Sequence, residues 1–192
     1  MADTNKIKYG IKNCYYAKAT ISSSGTATYA TPVALPGAVS LSLSAQGDTN
    51  PFYADNIVYY TSVANNGYEG DLELAKIPDT FLTDILGYIT DSDGALVEDA
   101  NAPVEHFALI GEFAGDAHSK RFVLYNCVAQ RPDVAGSTKE ESIEPQTETL
   151  NITATTVFNS ALDTDVVKAS AVQATTGVYT SWLTAVHQST GT

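Results

Sequence analysis

A mostly β chain, built as a β-sandwich with one flanking helix and extended loops or arms, is the fold class predicted by three stretches of the sequence. Val39, Leu41, Leu43 and Ala45 interleave with Ser40, Ser42 and Ser44, the period of a strand with one apolar and one polar face. Ile57, Tyr59 and Thr61 alternate with Val58, Tyr60 and Ser62, so that a second strand carries β-prone side chains on both faces. Helical spacing is confined to the centre of the chain, where Phe81, Leu82, Ile85 and Leu86 share one side.

The remaining elements follow in order. Lys6, Lys8, Lys12 and Lys18 crowd the N-terminal segment, residues 1–18, which reads either as a solvated arm or as a strip that docks on an acidic neighbour. The strand over residues 39–45 ends at Gln46-Gly47-Asp48, and residues 47–56 form an acidic, aromatic loop with Asp48, Phe52, Tyr53, Asp55 and Asn56. The Asn-Gly step in Asn65-Asn66-Gly67 favours positive φ and a tight reversal, which makes residues 57–75 a hairpin. Between Ile57 and Tyr68 no Lys, Pro or expected bulge blunts a strand edge, so this strand is either internal or meant to pair with another chain.

Ile77-Pro78-Asp79 opens the helix, with Pro in the first turn and an acid at the positive end of the dipole, and Gly87 stops it. Residues 88–90 and 95–97 flank a turn at Asp91-Ser92-Asp93-Gly94. Strands follow over residues 106–113 and 121–129, then a polar loop over 131–141, strands over 148–156 and 165–172, and a short helix over 178–186 carrying Trp182. The length suits one domain over residues 1–192, with a C-terminal extension from about residue 160.

Twenty-two acids against 10 Lys and Arg give a formal net charge of −12, and from residue 19 to 119 the only base is Lys76. Such a field repels phosphate and argues against gripping nucleic acid by counterion release, while suiting a surface that nucleic acid passes without sticking. Cys14 and Cys127 stand alone, without CxxC spacing, and read as buried free thiols. The start, MADTNKIKYG, is unlike a secretory signal and no run of about 18 apolar residues occurs, so synthesis in a cytoplasm and no membrane association are expected.

Chemistry-bearing patterns are weak. Asp91-Ser92-Asp93-Gly94 begins like a calcium loop, yet Leu96 stands where the loop needs Gly, and a turn is the simpler reading. His106, His118 and His187 are far apart and outside any zinc spacing. No GxSxG, GxGxxG or GxxxxGK[ST] is present, so no catalytic residue, metal or cofactor is assigned and no enzymatic activity is expected. The aromatic residues Phe52, Tyr53, Tyr59 and Tyr60 are of a kind more often core than contact surface, and their nearness to Asp55-Asn56 in a loop raises the interface reading to an equal footing.

A family resemblance runs through residues 9 to 157. Leu35-Pro36-Gly37-Ala38-Val39, Tyr53-Ala54-Asp55-Asn56, Gly67-Tyr68-Glu69-Gly70-Asp71-Leu72-Glu73-Leu74 and Ile85-Leu86-Gly87 begin it. Phe107-Ala108-Leu109-Ile110, Gly115-Asp116, Arg121-Phe122-Val123-Leu124-Tyr125-Asn126-Cys127, Arg131-Pro132 and the run from Ile143 to Leu150 continue it in the same order. Together these resemble the major tail proteins, or tail-tube subunits, of long-tailed siphovirus-type bacteriophages, specifically the phi13 type.

The resemblance implies a structural virion protein of the phage tail: six copies per ring, and rings stacked into a tube through which DNA leaves the capsid. It implies partners in the protein itself, the tape-measure protein, and the tail terminator and distal tail proteins, with DNA passing the lumen unbound. It also implies subunit-pairing strands, for which Ile57, Val58, Tyr59, Tyr60, Tyr68, Leu72 and Leu74 are the candidates, and an inter-ring loop at Asp48, Phe52, Tyr53, Asp55 and Asn56. Docking of Lys6, Lys8 and Lys12 on a neighbour's acidic surface is the role expected of the N-terminal segment on charge alone. The rival reading is a virion β-sandwich binding module for a surface or a carbohydrate.

Overall fold

The strand over residues 107–115 organises the molecule, because its apolar side chains alternate without a polar face. In the computed structural model, which describes residues 5–138, 145–173 and 176–191, Phe107, Ala108, Leu109 and Ile110 are all fully buried. A strand buried on both faces needs a cover on each, and the chain supplies two.

The elements are β1 (Lys8–Ile21), β2 (Ala27–Tyr29), β3 (Val33–Ala34), β4 (Ala38–Gln46), β5 (Thr49–Ala54), β6 (Ile57–Val63), β7 (Gly67–Leu74), α1 (Asp79–Ile85), β8 (Ile89–Thr90), β9 (Leu96–Val97), β10 (Phe107–Gly115), β11 (Lys120–Ala129), β12 (Glu148–Thr155), β13 (Val157–Asn159), β14 (Thr164–Val166), β15 (Lys168–Val172) and α2 (Thr176–Ser181). The main antiparallel sheet runs β2-β1-β10-β11-β12-β7-β4, with β3 on β1 and β15 on β11. The β11 ladder divides at Tyr125: Lys120–Leu124 pair with β15, whereas Asn126–Ala129 pair with β12. That division lets the sheet close over itself as a β-sandwich.

One core lies beneath α1. Phe81 and Ile85 from the helix meet Tyr16, Leu72, Leu74, Phe107, Leu109, Leu150 and Ile152. Phe81 packs edge-to-face on Tyr16 and on Phe107, at centroid distances of 5.0 and 5.4 Å, the arrangement favoured by aromatic quadrupoles. The Tyr16 hydroxyl donates to Asp84 Oδ2 at 2.8 Å, and burial followed by this bond raises the phenol to about 12. Pro78 is the N-cap of α1, with Asp79 in the first turn, and Gly87 takes φ 72° just past its end, the left-handed stop expected there.

The second core covers the other face. Ala17, Ala108, Ile110, Val123 and Tyr125 are roofed by Val157, Ala171 and Trp182 from the C-terminal segment. That segment is therefore half of the sandwich's cover rather than an extension. Its strand expected over residues 165–172 is two strands, β14 and β15, and its helix ends at Ser181, leaving the buried Trp182 in the turn beyond.

The N-terminal residues depart from the expected arm. Residues 8–18 lie within β1, paired with β10 along their length, and bulges at Gly10 (φ 64°) and Asn13 (φ 52°) keep that long strand in register. Asn5 is tied to the β10–β11 turn: its Oδ1 accepts from the Ala117 and His118 amides, and its Nδ2 donates to the His118 carbonyl at 2.6 Å. Part of the polar loop from residue 131, including Ile143-Glu144, falls outside the described residues.

Trp182→Ala removes the largest side chain of the second core and is expected to cost about 3–5 kcal/mol, a fall in melting temperature on the order of 10 °C. A loss below about 1 kcal/mol would show that the C-terminal cover is dispensable to the fold.

Candidate assembly surface

The segment from residue 38 to 74 is one continuous hairpin. Ala38 pairs with Leu74 and Gln46 with Gly67 in its proximal half, then Thr49 pairs with Val63 and Ala54 with Ile57 in its distal half. Two backbone bonds bridge the halves, from the Asn66 amide to the Gln46 carbonyl at 2.8 Å and from the Ala64 amide to the Asp48 carbonyl at 3.0 Å. The halves meet closely at Gly47, where a Cβ would lie 2.0 Å from the Ala64 carbonyl oxygen, so only glycine fits.

This pairing corrects two expectations. The reversal is not at Asn65-Asn66-Gly67, where β6 runs on into β7 and the Asn65 side chain accepts from the Gly67 amide. It is at Asp55-Asn56, whose φ values of 52° and 60° make the two-residue turn that matches strand twist, and both residues tolerate the left-handed region. Residues 47–56 are therefore a strand and a turn rather than a loop. A bulge the sequence did not disclose leaves Tyr59 unopposed, since Phe52 faces Tyr60 while Tyr53 faces Val58.

The candidate pairing residues fall into two groups. Tyr68, Leu72 and Leu74 lie on β7, both of whose edges are taken within the chain by β4 and β12, and Leu72 and Leu74 are core. They present no free backbone edge to a neighbour. Ile57, Val58, Tyr59 and Tyr60 lie on the distal arm, and there no face is covered: these four, with Phe52, Tyr53 and Val63, are 50–75% exposed. Patches of this kind mark interaction sites, and a two-stranded ribbon gains little stability alone.

The N-terminal candidates separate similarly. Lys12 is used within the chain, at 3.2 Å from Glu112, while Lys8 lies over the Phe113 ring at 4.4 Å. The backbone amides of Lys6 and Ile7 donate to Asp116 Oδ1, which anchors this stretch.

Glu112 carries the buried charge network, and the sequence reading overlooked it although an acid within Ala108-Leu109-Ile110-Gly111-Glu112-Phe113 signals a paired charge. Its carboxylate accepts from Arg121 Nε at 2.8 Å and from Asn13 Nδ2 at 3.4 Å, beside Lys12. Arg121 also donates to the Tyr179 carbonyl at 2.5 Å and stacks over the Tyr179 ring at 4.0 Å, tying the C-terminal cover to the sheet. Burial alone would raise this carboxyl, but the bonds from Arg121, Lys12 and Asn13 outweigh it and bring it from 4.5 to about 2.

No reacting constellation accompanies these features. Cys14 and Cys127 are free and buried, and burial raises their thiols to about 11 and about 12. His106 is hydrogen-bonded to Asn126, and His187 stacks on Trp182 at 4.7 Å. Asp91-Ser92-Asp93-Gly94 is a turn in which Asp91 Oδ1 accepts from the Asp93 and Ala95 amides. Among the described residues there is no group of three or more potential metal ligands, and no helix is long and apolar enough to cross a membrane.

The depressed Glu112 value fixes a pH dependence. A folded value below the unfolded one contributes stability that is present above about pH 4.5 and is lost as pH falls through about 2. Acid titration followed by circular dichroism should show this loss in wild type. Glu112→Gln should lower stability near neutral pH by roughly 3 kcal/mol, since Arg121 is left unpaired, and should flatten the acid limb; an unchanged limb would remove Glu112 as its source.

Comparison with curated protein sequences finds no match. Comparison with protein families finds one, described as phage tail tube protein, over residues 2–176. That range takes in both halves of the hairpin, the central sheet and most of the second cover. The chain therefore belongs to the phage tail tube protein family, a structural and non-enzymatic family of the virion tail.

Proposed function

We propose that the chain is a major tail protein of the phi13 type that closes into hexameric rings and that these stack into the conduit for DNA ejection. The observation that carries the proposal is the distal arm, whose Phe52, Tyr53, Ile57, Tyr59 and Tyr60 are exposed on both faces of a two-stranded ribbon. Such a ribbon acquires its partner by assembly, and the acidic Asp55-Asn56 tip is the part placed to reach an adjacent ring. Heterologous contacts close by rotation around a ring, whereas the same kind of contact between rings does not close and propagates a filament.

The wall of such a conduit must not hold DNA. With 22 acids against 10 bases, subunits repel phosphate, which supports passage without binding. In this reading the chain's partners are further copies of itself, the tape-measure protein within the tube, and the terminator and distal tail proteins at its ends. Assembly takes place in the host cytoplasm.

The exposed aromatics also suit the second reading, a virion module that binds a surface or carbohydrate as a monomer. Negative-stain microscopy of the purified protein separates the two. Rings or tubes are expected from wild type, and Tyr59→Ser with Tyr60→Ser should abolish them while changing fold stability by no more than about 1 kcal/mol. Tubes that persist in this variant would remove the arm from assembly; monomers at every concentration of wild type would favour the binding module.

A further inference from the structure

We propose that the arm tip of one copy docks in a lysine-rimmed apolar groove at the arm root of another copy. This rests on the self-assembly reading and names the site that receives the arm. The groove encloses about 330 Å³ between the root of the arm and the end of the sheet, with Leu41, Leu43 and Tyr68 on one side and Phe113 and Phe122 on the other. Phe113 and Phe122 stack at 4.8 Å and give it an aromatic wall.

The rim is what distinguishes it. Lys12, Lys18 and Lys76 form ion pairs within the chain, with Glu112, Glu105 and Asp79. Among the described residues the lysines without one are Lys6, Lys8, Lys120 and Lys168, and the last three all line this groove. Lys168 instead donates to the Tyr68 hydroxyl at 2.5 Å and lies over its ring, as Lys8 lies over Phe113. In a chain of net charge −12, three cations left unpaired around one apolar groove are matched to an acidic, aromatic ligand.

The arm has that chemistry. Its tip carries Asp55 beside the exposed Phe52 and Tyr53, and the arm as a whole has no base. The tip lies out of reach of its own groove, because from Leu43 to Asp55 the chain runs in paired strands, β4 on β7 and then β5 on β6, joined by two backbone hydrogen bonds, over about 40 Å at about 3.3 Å per residue. Docking is therefore between copies, head to tail, and the arm's reach sets an upper limit of about 40 Å on the spacing of successive copies.

Two experiments on the full chain test this. Asn56→Cys and Lys120→Cys proteins, each made separately and then mixed with a short bis-maleimide, should give a crosslinked pair. Asn56→Cys mixed with Ser92→Cys, which places the thiol in a different turn, should not; Cys14 and Cys127 are buried and do not compete. In parallel, Lys8→Glu/Lys120→Glu/Lys168→Glu should raise the concentration needed for assembly by about tenfold or more, and adding Asp55→Lys at the tip of the same chain should bring it part of the way back.

Melting curves establish that the variants fold, and Lys120→Glu alone replaces the triple variant if it does not. Wild-type tubes with no Asn56–Lys120 crosslink and an unchanged threshold in the reversal variant would overturn the groove while leaving self-assembly standing. Wild type that never assembles would overturn both.

Discussion

The apolar strand β10 sets the terms for the rest of the structure. Phe107 and Leu109 point into one core and Ala108 and Ile110 into the other, so no solution with one covered face is open to this sequence. The chain meets the demand by dividing the β11 ladder at Tyr125, which sends β12 and β7 to one side and β15 with the C-terminal turn to the other. Where β10 reaches the sheet's end, its alternation places Glu112 on the buried side, and the charge is tolerable only because Arg121, Lys12 and Asn13 all reach it. Arg121 in turn holds Tyr179, so the polar residue that the pattern forces inward becomes the fastening of the second cover.

With its cores closed by this body, the molecule leaves one apolar element unused. The distal arm is a separate two-stranded ribbon joined to β4 and β7 by two backbone hydrogen bonds, and its order derives from them, because six or seven residues in such a ribbon do not sustain themselves in water. Gly47 lets the two chains approach closely at the junction of the anchored and projecting halves. The arm is thus held out by the fold while its own side chains have nothing to pack on, which is the physical meaning of its aromatic content. Membership of the tail tube family supplies the context in which such an element has a use.

Much of this was legible in the sequence, for reasons that vary by element. The serine alternation of β4, the helix between Pro78 and Gly87, and the strands β10, β11 and β12 follow from local periodicity and punctuation, and they stand within a residue or two of expectation. The arm's aromatic content on both faces beside a turn was also legible, and the structure leaves those side chains exposed. Its pairing was not, because Asn65-Asn66-Gly67 and Asp55-Asn56 are both competent reversals and only the partner strands decide between them. The N-terminal lysines misled for a related reason: Lys8 to Lys18 look solvated one by one, yet between them Cys14 and Tyr16 enter one core and Ala17 the other. The Glu112 network needed knowledge of which strand lies beside which, and that is tertiary information.

In the proposed assembly acidity and self-association stand in tension, and the distribution of charge is what would resolve it. Copies of net charge −12 repel one another over distances set by the ionic atmosphere, about 8 Å at physiological salt. Random encounters are therefore discouraged, and an attraction has to be both local and aligned to win. Among the described residues Lys12, Lys18, Lys76, Arg121 and Arg131 are paired within the chain, with Glu112, Glu105, Asp79 and Glu98. Of the described lysines left over, Lys6 stands apart, while Lys8, Lys120 and Lys168 stand around one apolar groove at the root of an arm whose tip carries Asp55. A surface of this kind favours a single relative placement of two copies over the many that collision offers, because only there do apolar contact and charge complementarity coincide. In the proposed docking the two surfaces are different patches of the same chain, so that satisfying one contact would leave another open, which is the condition for a filament rather than a closed dimer.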